Sequence, residues 1–388
     1  MKILHTSDWH IGKRLGVLPN RLDEQAQVLD EITQICDSEN VELVIVAGDV
    51  FDTYTPSAEA EELFYHKIKQ IAGDNRAVLI ISGNHDDGVR LTATAPLAEE
   101  QGVYIVGNSR RAVSLKQTGR KVCPTRSGKG YVVFENERGE RAFIGTLPYP
   151  NEARFKETKS SLSYVEQMRF WMDEGMNENT DGLPSVLVAH IFVAGGKVSE
   201  GEREIDLGGA RAVPVESLPT ASYVALGHLH KKQHMGKGHC YYSGSPLQYS
   251  FDEAPDKAVK VFDLTANGVE NLKDVPLTAG KKLVHIETVG VENAMELIEK
   301  YADCWVDLLI HLDAPLITED NERLHALGNL LSVNPDIKAE GEEWEVQSRK
   351  SMTSEQLFDA FYETQYGSAP KAELKELFLS IMQEIEER

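Results

Sequence analysis

Five short fragments rich in Asp, His and Gly each close a run of apolar residues, and this arrangement constrains the chain more than any other feature. They are Asp8-Trp9-His10, Gly48-Asp49-Val50-Phe51-Asp52, Gly83-Asn84-His85-Asp86, His190, and Gly227-His228-Leu229-His230. The runs before them are Lys2–His5, Leu43–Ala47, Val78–Ser82, Ser185–Ala189 and Tyr223–Leu226. Their continuous apolar character suits strands covered on both faces. Ala142–Gly145 reads the same way, and Lys257–Leu264 reads as the last strand of the core. In open α/β sheets the ligand crevice lies beyond the carboxyl ends of the strands, so residues hundreds of positions apart can converge there.

Helical periods alternate with these strands. Asp23–Glu39 carries Ala26, Leu29, Ile32 and Cys36 on one face. Ser57–Ala72 reads as a second helix with Ser57 in the N-cap region, and Leu91–Gln101 as a third, interrupted near Pro96. The alternation predicts a layered α/β core. A second region starts near Lys273: strand Leu283–Thr288, helix Glu292–Tyr301, strand Trp305–Leu312 and a helical stretch Glu319–Leu331. It reads as a small α+β domain ending near Gln347. The tail, Thr353–Arg388, reads as two amphipathic helices split at Gly367–Pro370. Leu357, Phe358, Phe361 and Tyr362 mark the first; Leu374, Leu377, Phe378, Ile381 and Ile385 mark the second. The domains expected are therefore residues 1–270, 271–347 and 348–388.

At 388 residues the chain can bury two or three cores. Its net charge of -22 makes it a poor generic binder of polyanions, because such affinity comes from Lys and Arg displacing counterions. One segment reverses the sign. Asn108–Lys129 holds Arg110, Arg111, Lys116, Arg120, Lys121, Arg126 and Lys129 and no acidic residue. It reads either as a solvated hairpin or loop or as a local cationic track, with Lys13, Arg14 and Arg90 near the motifs extending it. Cys36, Cys123, Cys240 and Cys304 form no CxxC pair, so a zinc knuckle is not indicated and reduced thiols are expected. The apolar start is too short for a signal peptide and no run is long enough to span a bilayer. A cytoplasmic protein is expected.

As chemistry, the fragments offer two carboxylates, one amide and four imidazoles, a set suited to a pair of divalent first-row metals. The i, i+2 spacing of Asp8 with His10 and of His228 with His230 is expected to turn each pair the same way on extended chain. Gly48, Gly83 and Gly227 each precede a candidate ligand and permit a sharp turn and close approach. Alone, each fragment has a plain structural explanation. Their joint occurrence, each at a strand end, does not.

The five fragments resemble the calcineurin-like metallophosphoesterase superfamily. The finer wording, His5-Thr6-Ser7-Asp8-Trp9-His10-Ile11-Gly12, Val46-Ala47-Gly48-Asp49-Val50-Phe51-Asp52, Gly83-Asn84-His85-Asp86 and Gly244-Ser245-Pro246, is similar to its SbcD-type nuclease subunits. The resemblance covers Met1–Leu264 most specifically. It implies a layered β-sandwich core flanked by helices, with a small α+β capping domain and C-terminal helices. It implies one metal on Asp8, His10 and His230, another on Asn84, His190 and His228, and Asp49 bridging them. The ions implied are Mn²⁺, with Mg²⁺ a poorer support. His85 would contact the scissile phosphate or protonate the leaving 3′ oxygen; Asp86 would either orient His85 or be a structural turn carboxylate. The activity implied is 3′-to-5′ exonuclease action on duplex DNA and endonuclease action on single strands and hairpins, in repair, recombination and replication. The partners implied are DNA and the SbcC ATPase, whose coiled coil the terminal helices would bind; those helices could instead fold back on the small domain. A homodimer within a heterotetramer is also implied, with Leu63, Phe64 and Leu97 as candidate contacts. The rival reading is another phosphoesterase of the same core, acting on cyclic nucleotides or small molecules.

Overall fold

The computed structural model describes residues 1–16, 20–108, 111–115, 119–150, 162–200, 202, 211–337, 358, 362, 370, 374, 375 and 378. The chain opens with β1 (Lys2–Thr6), α1 (Leu22–Ser38), β2 (Leu43–Val46), α2 (Ala58–Ala72) and β3 (Ala77–Ile81). Then come α3 (Gly88–Thr92), α4 (Ala95–Ala98), β4 (Val103–Val106), β5 (Val122–Gly128), β6 (Tyr131–Asn136) and β7 (Arg141–Leu147). α5 (Tyr164–Met176), β8 (Ser185–His190), β9 (Tyr223–Gly227), β10 (Gln233–His234), β11 (Cys240–Tyr242), β12 (Ala258–Thr265) and β13 (Gly268–Pro276) complete the core. β14 (Lys282–Val289), α6 (Val291–Lys300), β15 (Cys304–Leu312), α7 (Thr318–His325) and β16 (Leu330–Ile337) follow.

Two sheets face each other. One runs β13-β12-β1-β2-β3-β4 and the other β10-β11-β9-β8-β7-β6-β5. Strand periodicity sorts their side chains. Ile3, Leu43, Ile45, Leu79 and Ile81 point toward Val132, Phe134, Ile144, Val186, Val188 and Ala225 of the opposite sheet. Their neighbours Leu4, Val44, Val46, Val78 and Ile80 pack instead on Val28, Leu29 and Ile32 of α1 and Phe64, Ile68 and Ile71 of α2. On the far side of the second sheet, Leu187, Ala189 and Leu226 meet Met168, Trp171 and Met172 of α5. The result is four layers, helix, sheet, sheet, helix, with apolar residues on both faces of every central strand. β1, β2 and β3 are parallel, as are β7, β8 and β9, so their carboxyl ends gather at the same edge of each sheet.

Several sequence expectations need correction. Lys257–Leu264 is not the last core strand. β13 returns antiparallel along β12, so the boundary expected after residue 270 falls inside a strand and the chain leaves the sheet only after Pro276. The third helix is three short pieces, with a 3-10 turn over Glu99–Gln101. The interruption expected near Pro96 is there: the helix breaks at Ala93 and Thr94, and Pro96 lies in the first turn of α4, where a missing N–H costs nothing. The stretch Glu319–Leu331 is helical only to His325; Leu330 and Leu331 open β16, the third strand of the small sheet β14-β15-β16. The half of the basic segment from Val122 onward does form a hairpin, β5 paired antiparallel with β6. α5 was not anticipated, although Ser163 and Glu166 form a reciprocal capping box at its start. Phe64 is fully buried in the α2 core and cannot be a dimer contact, whereas Leu63 is half-buried and Leu97 is exposed.

The small sheet joins the core through Leu283, Trp305 and Leu331, which pack with Leu15 and Phe251, and through the Trp305 Nε1–H bond to Glu24 at 2.9 Å. In the tail, Phe358 stacks on Phe378 with centroids 4.2 Å apart and lies 6.0 Å from Tyr362. Leu357, Phe361, Leu377, Ile381 and Ile385 lie outside the described residues. No helix among the described residues is long and apolar enough to cross a membrane.

His5 is buried between the sheets, with ring nitrogens 3.0 Å from the Tyr223 hydroxyl and 3.2 Å from the Leu226 carbonyl. Burial, reinforced by Lys260, pushes its pKa down to about 3. An unfolded chain protonates this histidine below its ordinary value while the folded chain does not. Its contribution to stability is therefore complete above about pH 6.5 and is lost as pH falls toward 3. Urea titrations of His5→Asn should show a shallower acid loss than wild type, by at most about 1.4 kcal/mol per pH unit.

Candidate metal centre

The strand ends do not continue extended into the site. Asp8, His10 and Asp49 have φ of 53°, 45° and 50°, and His228 has φ of 114°, all in the region non-glycine residues avoid. The expectation that Asp8 and His10 share a direction on extended chain is thus replaced by a tight turn. Trp9 between them is buried and its Nε1–H donates to Thr6 Oγ1 at 3.0 Å, pinning the turn to β1. The Asp8 N–H donates to Gly48 O and the His10 N–H to Asp49 O, both at 3.0 Å, which zips this turn to the one after β2.

All seven candidate ligands converge. Asp49 Oδ2 lies 3.3 Å from His190 Nε2 and 3.6 Å from His10 Nε2. Asn84 Oδ1 lies 2.9 Å from both His190 Nε2 and His228 Nδ1. His230 Nε2 is 3.0 Å from His10 Nε2. Asp8 Oδ1 accepts from the His228 N–H at 2.9 Å, and Oδ2 accepts from Ser7 Oγ at 2.5 Å. Asp8, Asp49 and His190 form one cluster of ligand atoms; His10, Asp49 and His85 form a second, and Asp49 belongs to both.

This donor set fits divalent ions on its own chemistry. The His190 Nδ1–H donates to Ala47 O at 2.8 Å, which leaves the lone pair of Nε2 facing two oxygen acceptors. Such a geometry needs a proton or a cation between the atoms. The facing Nε2 atoms of His10 and His230 pose the same demand. His228 Nε2 is buried with no hydrogen-bond partner among the described residues. Charge tells the same story. Burial, then the charge of Asp49, raises Asp8 to about 7. Burial opposes ionisation of Asp49 too, but His190 outweighs it and holds that carboxyl well below the usual range. Burial disfavours charge on His190, yet the Asp49 carboxylate beside it lifts the imidazole to about 9. Burial depresses His10 and His228 to about 3, leaving them neutral, as metal ligands must be.

A second layer aims the first. His230 Nδ1 lies 3.1 Å from the fully buried carboxylate of Glu253, which also holds Lys257. Lys257 Nζ donates to His230 O at 3.1 Å and to Ser245 Oγ at 2.9 Å, so the Gly244-Ser245-Pro246 motif braces the His230 turn. Glu202 accepts the His230 N–H at 2.8 Å. None of these acids was singled out from the sequence, since nothing local marks them.

The His85 backbone N–H donates to Asp49 Oδ1 at 2.8 Å and its ring lies 4.6 Å from that of His10. The residue that orients it is Asp52, whose carbonyl accepts from His85 Nδ1 at 2.7 Å. Asp52 stands in the Gly-Asp-x-x-Asp fragment, but sequence reasoning assigned it no role. Asp86 takes the structural alternative instead of orienting His85. Its carboxylate accepts the N–H groups of Gly83, Val50 and Phe51 at 2.8, 3.1 and 2.9 Å, tying the turns after β2 and β3 together.

The cationic candidates scatter. Lys13 reaches the site edge, 3.0 Å from Asp52, and Arg14 is exposed beside it. Arg90 pairs with Glu61, and Arg111 lies 3.8 Å from Glu99. Arg120 caps the carbonyls of Ala72 and Gly73 at the end of α2. Lys121 is exposed in a hollow shared with Asp37, Glu42 and Glu140, at the opposite end of the strands. Arg126 pairs with Asp181 and Lys129 with Glu174. Arg110 and Lys116 lie outside the described residues. Among the described residues the segment forms no continuous track toward the site.

A helix-flanked double sheet with paired clusters of Asp, Asn and His at its strand ends defines a metallophosphoesterase. The family model for calcineurin-like phosphoesterases matches residues 1–232, and the chain belongs to that family. Among characterised relatives, the SbcD component of the SbcCD nuclease of Bacillus subtilis (strain 168) is 35% identical over 405 aligned positions, covering 100% of this chain and 99% of the relative. The SbcD components from Rhodobacter capsulatus and Escherichia coli (strain K12) are 32% and 26% identical, over 77% and 81% of this chain and 74% and 78% of their own lengths. The chain is a member of the SbcD family, a metal-dependent hydrolase of phosphodiester bonds.

Because Glu253 fixes the ring of His230, Glu253→Gln is expected to weaken divalent-ion uptake tenfold to a hundredfold, in keeping with about that cost for outer-layer partners of metal-bound histidines. Calorimetric titration with Mn²⁺ measures it; unchanged affinity would remove Glu253 from the centre.

Proposed function

We propose that this chain is the nuclease subunit of an SbcCD-type complex and cleaves DNA phosphodiesters with two divalent ions, Mn²⁺ in preference to Mg²⁺. The observation that carries the reading is Asp49, shared by both ligand clusters, with the imidazole of His85 beside it. Asp8, His10 and His230 would hold one ion, Asn84, His190 and His228 the other, and Asp49 both. The contacts of His10 with His230, and of Asn84 with His190 and His228, support that division. When bound, such a pair clamps the phosphodiester, acidifies a water and stabilises charge on the attacking and leaving oxygens.

The chain's own residues supply the rest. The Asp52 carbonyl holds the Nδ1 proton of His85, so Nε2 is the atom that exchanges a proton with substrate. Protonated there, it delivers a proton to the departing 3′ oxygen. The products are a 3′ hydroxyl and 5′-phosphorylated nucleotides, released 3′-to-5′ from duplex ends and by endonuclease action on single strands and hairpins. This chemistry serves DNA repair, recombination and replication in the cytoplasm, at the nucleoid.

A net charge of -22 and neutralised arginines leave affinity for long DNA to a partner, the SbcC ATPase. Residues 271–347, counted in practice from the end of β13, would form the capping domain, and residues 348–388 would bind the SbcC coiled coil. Dimerisation would use α2 and the α3–α4 region, where Leu97 is exposed, to give a homodimer within a heterotetramer.

Two experiments test this. His85→Ala should keep its metal content by elemental analysis while Mn²⁺-dependent cleavage of a hairpin oligonucleotide falls by at least about a hundredfold. Cyclic AMP and a phosphopeptide serve as controls; a preference for either would sink the nuclease reading. Deleting Thr353–Arg388 should abolish co-purification with SbcC and leave metal content unchanged.

A further inference from the structure

The His190 and His228 side of the centre carries aromatic and cationic groups that are not themselves candidate ligands. The ring of Tyr149 lies parallel to the imidazole of His228, interplanar angle 17° with centroids 6.4 Å apart, and edge-on to His190 at 6.2 Å. Phe192 lies on His228 as well, tilted by 58° at 6.3 Å. The Tyr149 hydroxyl accepts from Arg211 Nη1 at 3.2 Å. Its backbone N–H donates to Ser82 O at 2.9 Å, at the end of β3 just before Gly83-Asn84. Phe192 follows His190 by two residues, where the chain leaves β8. Both rings are therefore set on rigid strand ends.

Exposure separates them from the other aromatics here. Tyr242 and Tyr249 are buried, and their hydroxyls donate to the backbone carbonyls of Ile191 and Trp9, as packing residues do. Tyr149, Phe192 and Arg211 are each half-buried. All three keep partial exposure beside a centre whose ligands are almost wholly enclosed.

Resting on the nuclease reading above, we propose that Tyr149 and Phe192 form a nucleoside subsite that stacks a base next to the scissile phosphate, and that Arg211 contacts the neighbouring backbone phosphate. Every base has a π face, so stacking of this kind holds a strand without reading its sequence, as a nuclease of broad sequence tolerance requires. A guanidinium is the side chain suited to a phosphate at the edge of an acidic protein, since its planar fork gives two bonds to one anion. Holding the nucleoside on the His190 and His228 side would fix the register of the phosphodiester over the pair of clusters.

The test compares two single-stranded oligonucleotides of equal length, one with bases and one abasic throughout, cleaved by the full chain with Mn²⁺. For wild type, KM for the abasic strand should be about tenfold higher, the scale of stacking one to two bases. Tyr149→Ala and Phe192→Ala should narrow that ratio to below about threefold, while Tyr149→Phe keeps it. Arg211→Ala should raise KM for both strands alike. A structural role would shift both strands together and leave the ratio intact, so alanine variants that keep the wild-type ratio overturn the subsite. Failure of wild type to cut either strand overturns the nuclease reading itself, and the subsite falls with it.

Discussion

Two sheets can share one reaction centre only if their strand ends come closer than side chains normally permit. Here that closeness falls on glycines. A Cβ on Gly227 would sit 1.9 Å from the Ala47 carbonyl oxygen, and one on Gly48 would sit 2.3 Å from His190 Nδ1. Those are contacts between opposite sheets, β9 and β8 against the end of β2. Elsewhere between the sheets, Ile, Val, Leu and Phe keep the layers a side chain apart. At the carboxyl edge that filling stops, the backbones nearly touch, and Asp49 from one sheet meets His190 from the other. The hydrogen bond from His190 to Ala47 O crosses this gap and depends on it. A methyl group at either glycine would push the sheets apart where the two halves of the centre must register.

The same convergence is costly. Four non-glycine residues take left-handed backbone, and two carboxylates with four imidazoles are packed almost out of reach of water. Strain of this sort persists only where the surroundings over-determine it. The bracing is visible: Asp86 accepts three amides from two turns, Trp9 locks one turn to β1, and Glu202 and Glu253 hold the His230 turn from behind. These groups fix the geometry with backbone and buried charge before any ion arrives. Divalent ions would then relieve the facing lone pairs and like charges that the protein alone leaves unbalanced.

Legibility in the sequence followed physical locality. Strands buried on both faces announce themselves as apolar runs, and β1, β2, β3, β8 and β9 were placed to within two residues. β13 was not expected because polar residues break its periodicity; β6, whose apolar run over residues 131–134 is unbroken and buried, carries the same signal as the strands that were placed, and α5 is marked locally only by its capping box. The candidate ligands could be read because each sits directly after a strand. What braces them could not. Glu253, Glu202 and Tyr149 reach the centre through tertiary contacts with no local signature, and Asp52 differs from Asp86 only in which groups surround it. Adjacency to His85 suggested a role for Asp86, but its carboxylate turns away to the backbone, while the main-chain carbonyl of Asp52, 33 positions earlier, orients the ring.

Net charge and site chemistry then become compatible for a specific reason. Among the described residues, four cations of the basic segment have partners: Arg111 lies near Glu99, Arg120 closes the end of α2, and Arg126 and Lys129 sit opposite acids on and after α5. They stabilise the fold rather than a long polyanion. A surface of that kind holds DNA weakly by counterion release, which is the sequence-blind way. Under the proposed function, recognition would shift to groups acting at short range on one or two nucleotides: the bound divalent ions on the phosphate, Lys13 at the site edge, and the half-buried rings and guanidinium beside His228. Short-range capture suits a chain end or an unpaired loop, which can enter an enclosed centre, and disfavours intact duplex, which cannot unstack cheaply. On that reading the acidic surface would be part of the selectivity, since it would weaken the long contacts that uninterrupted duplex offers.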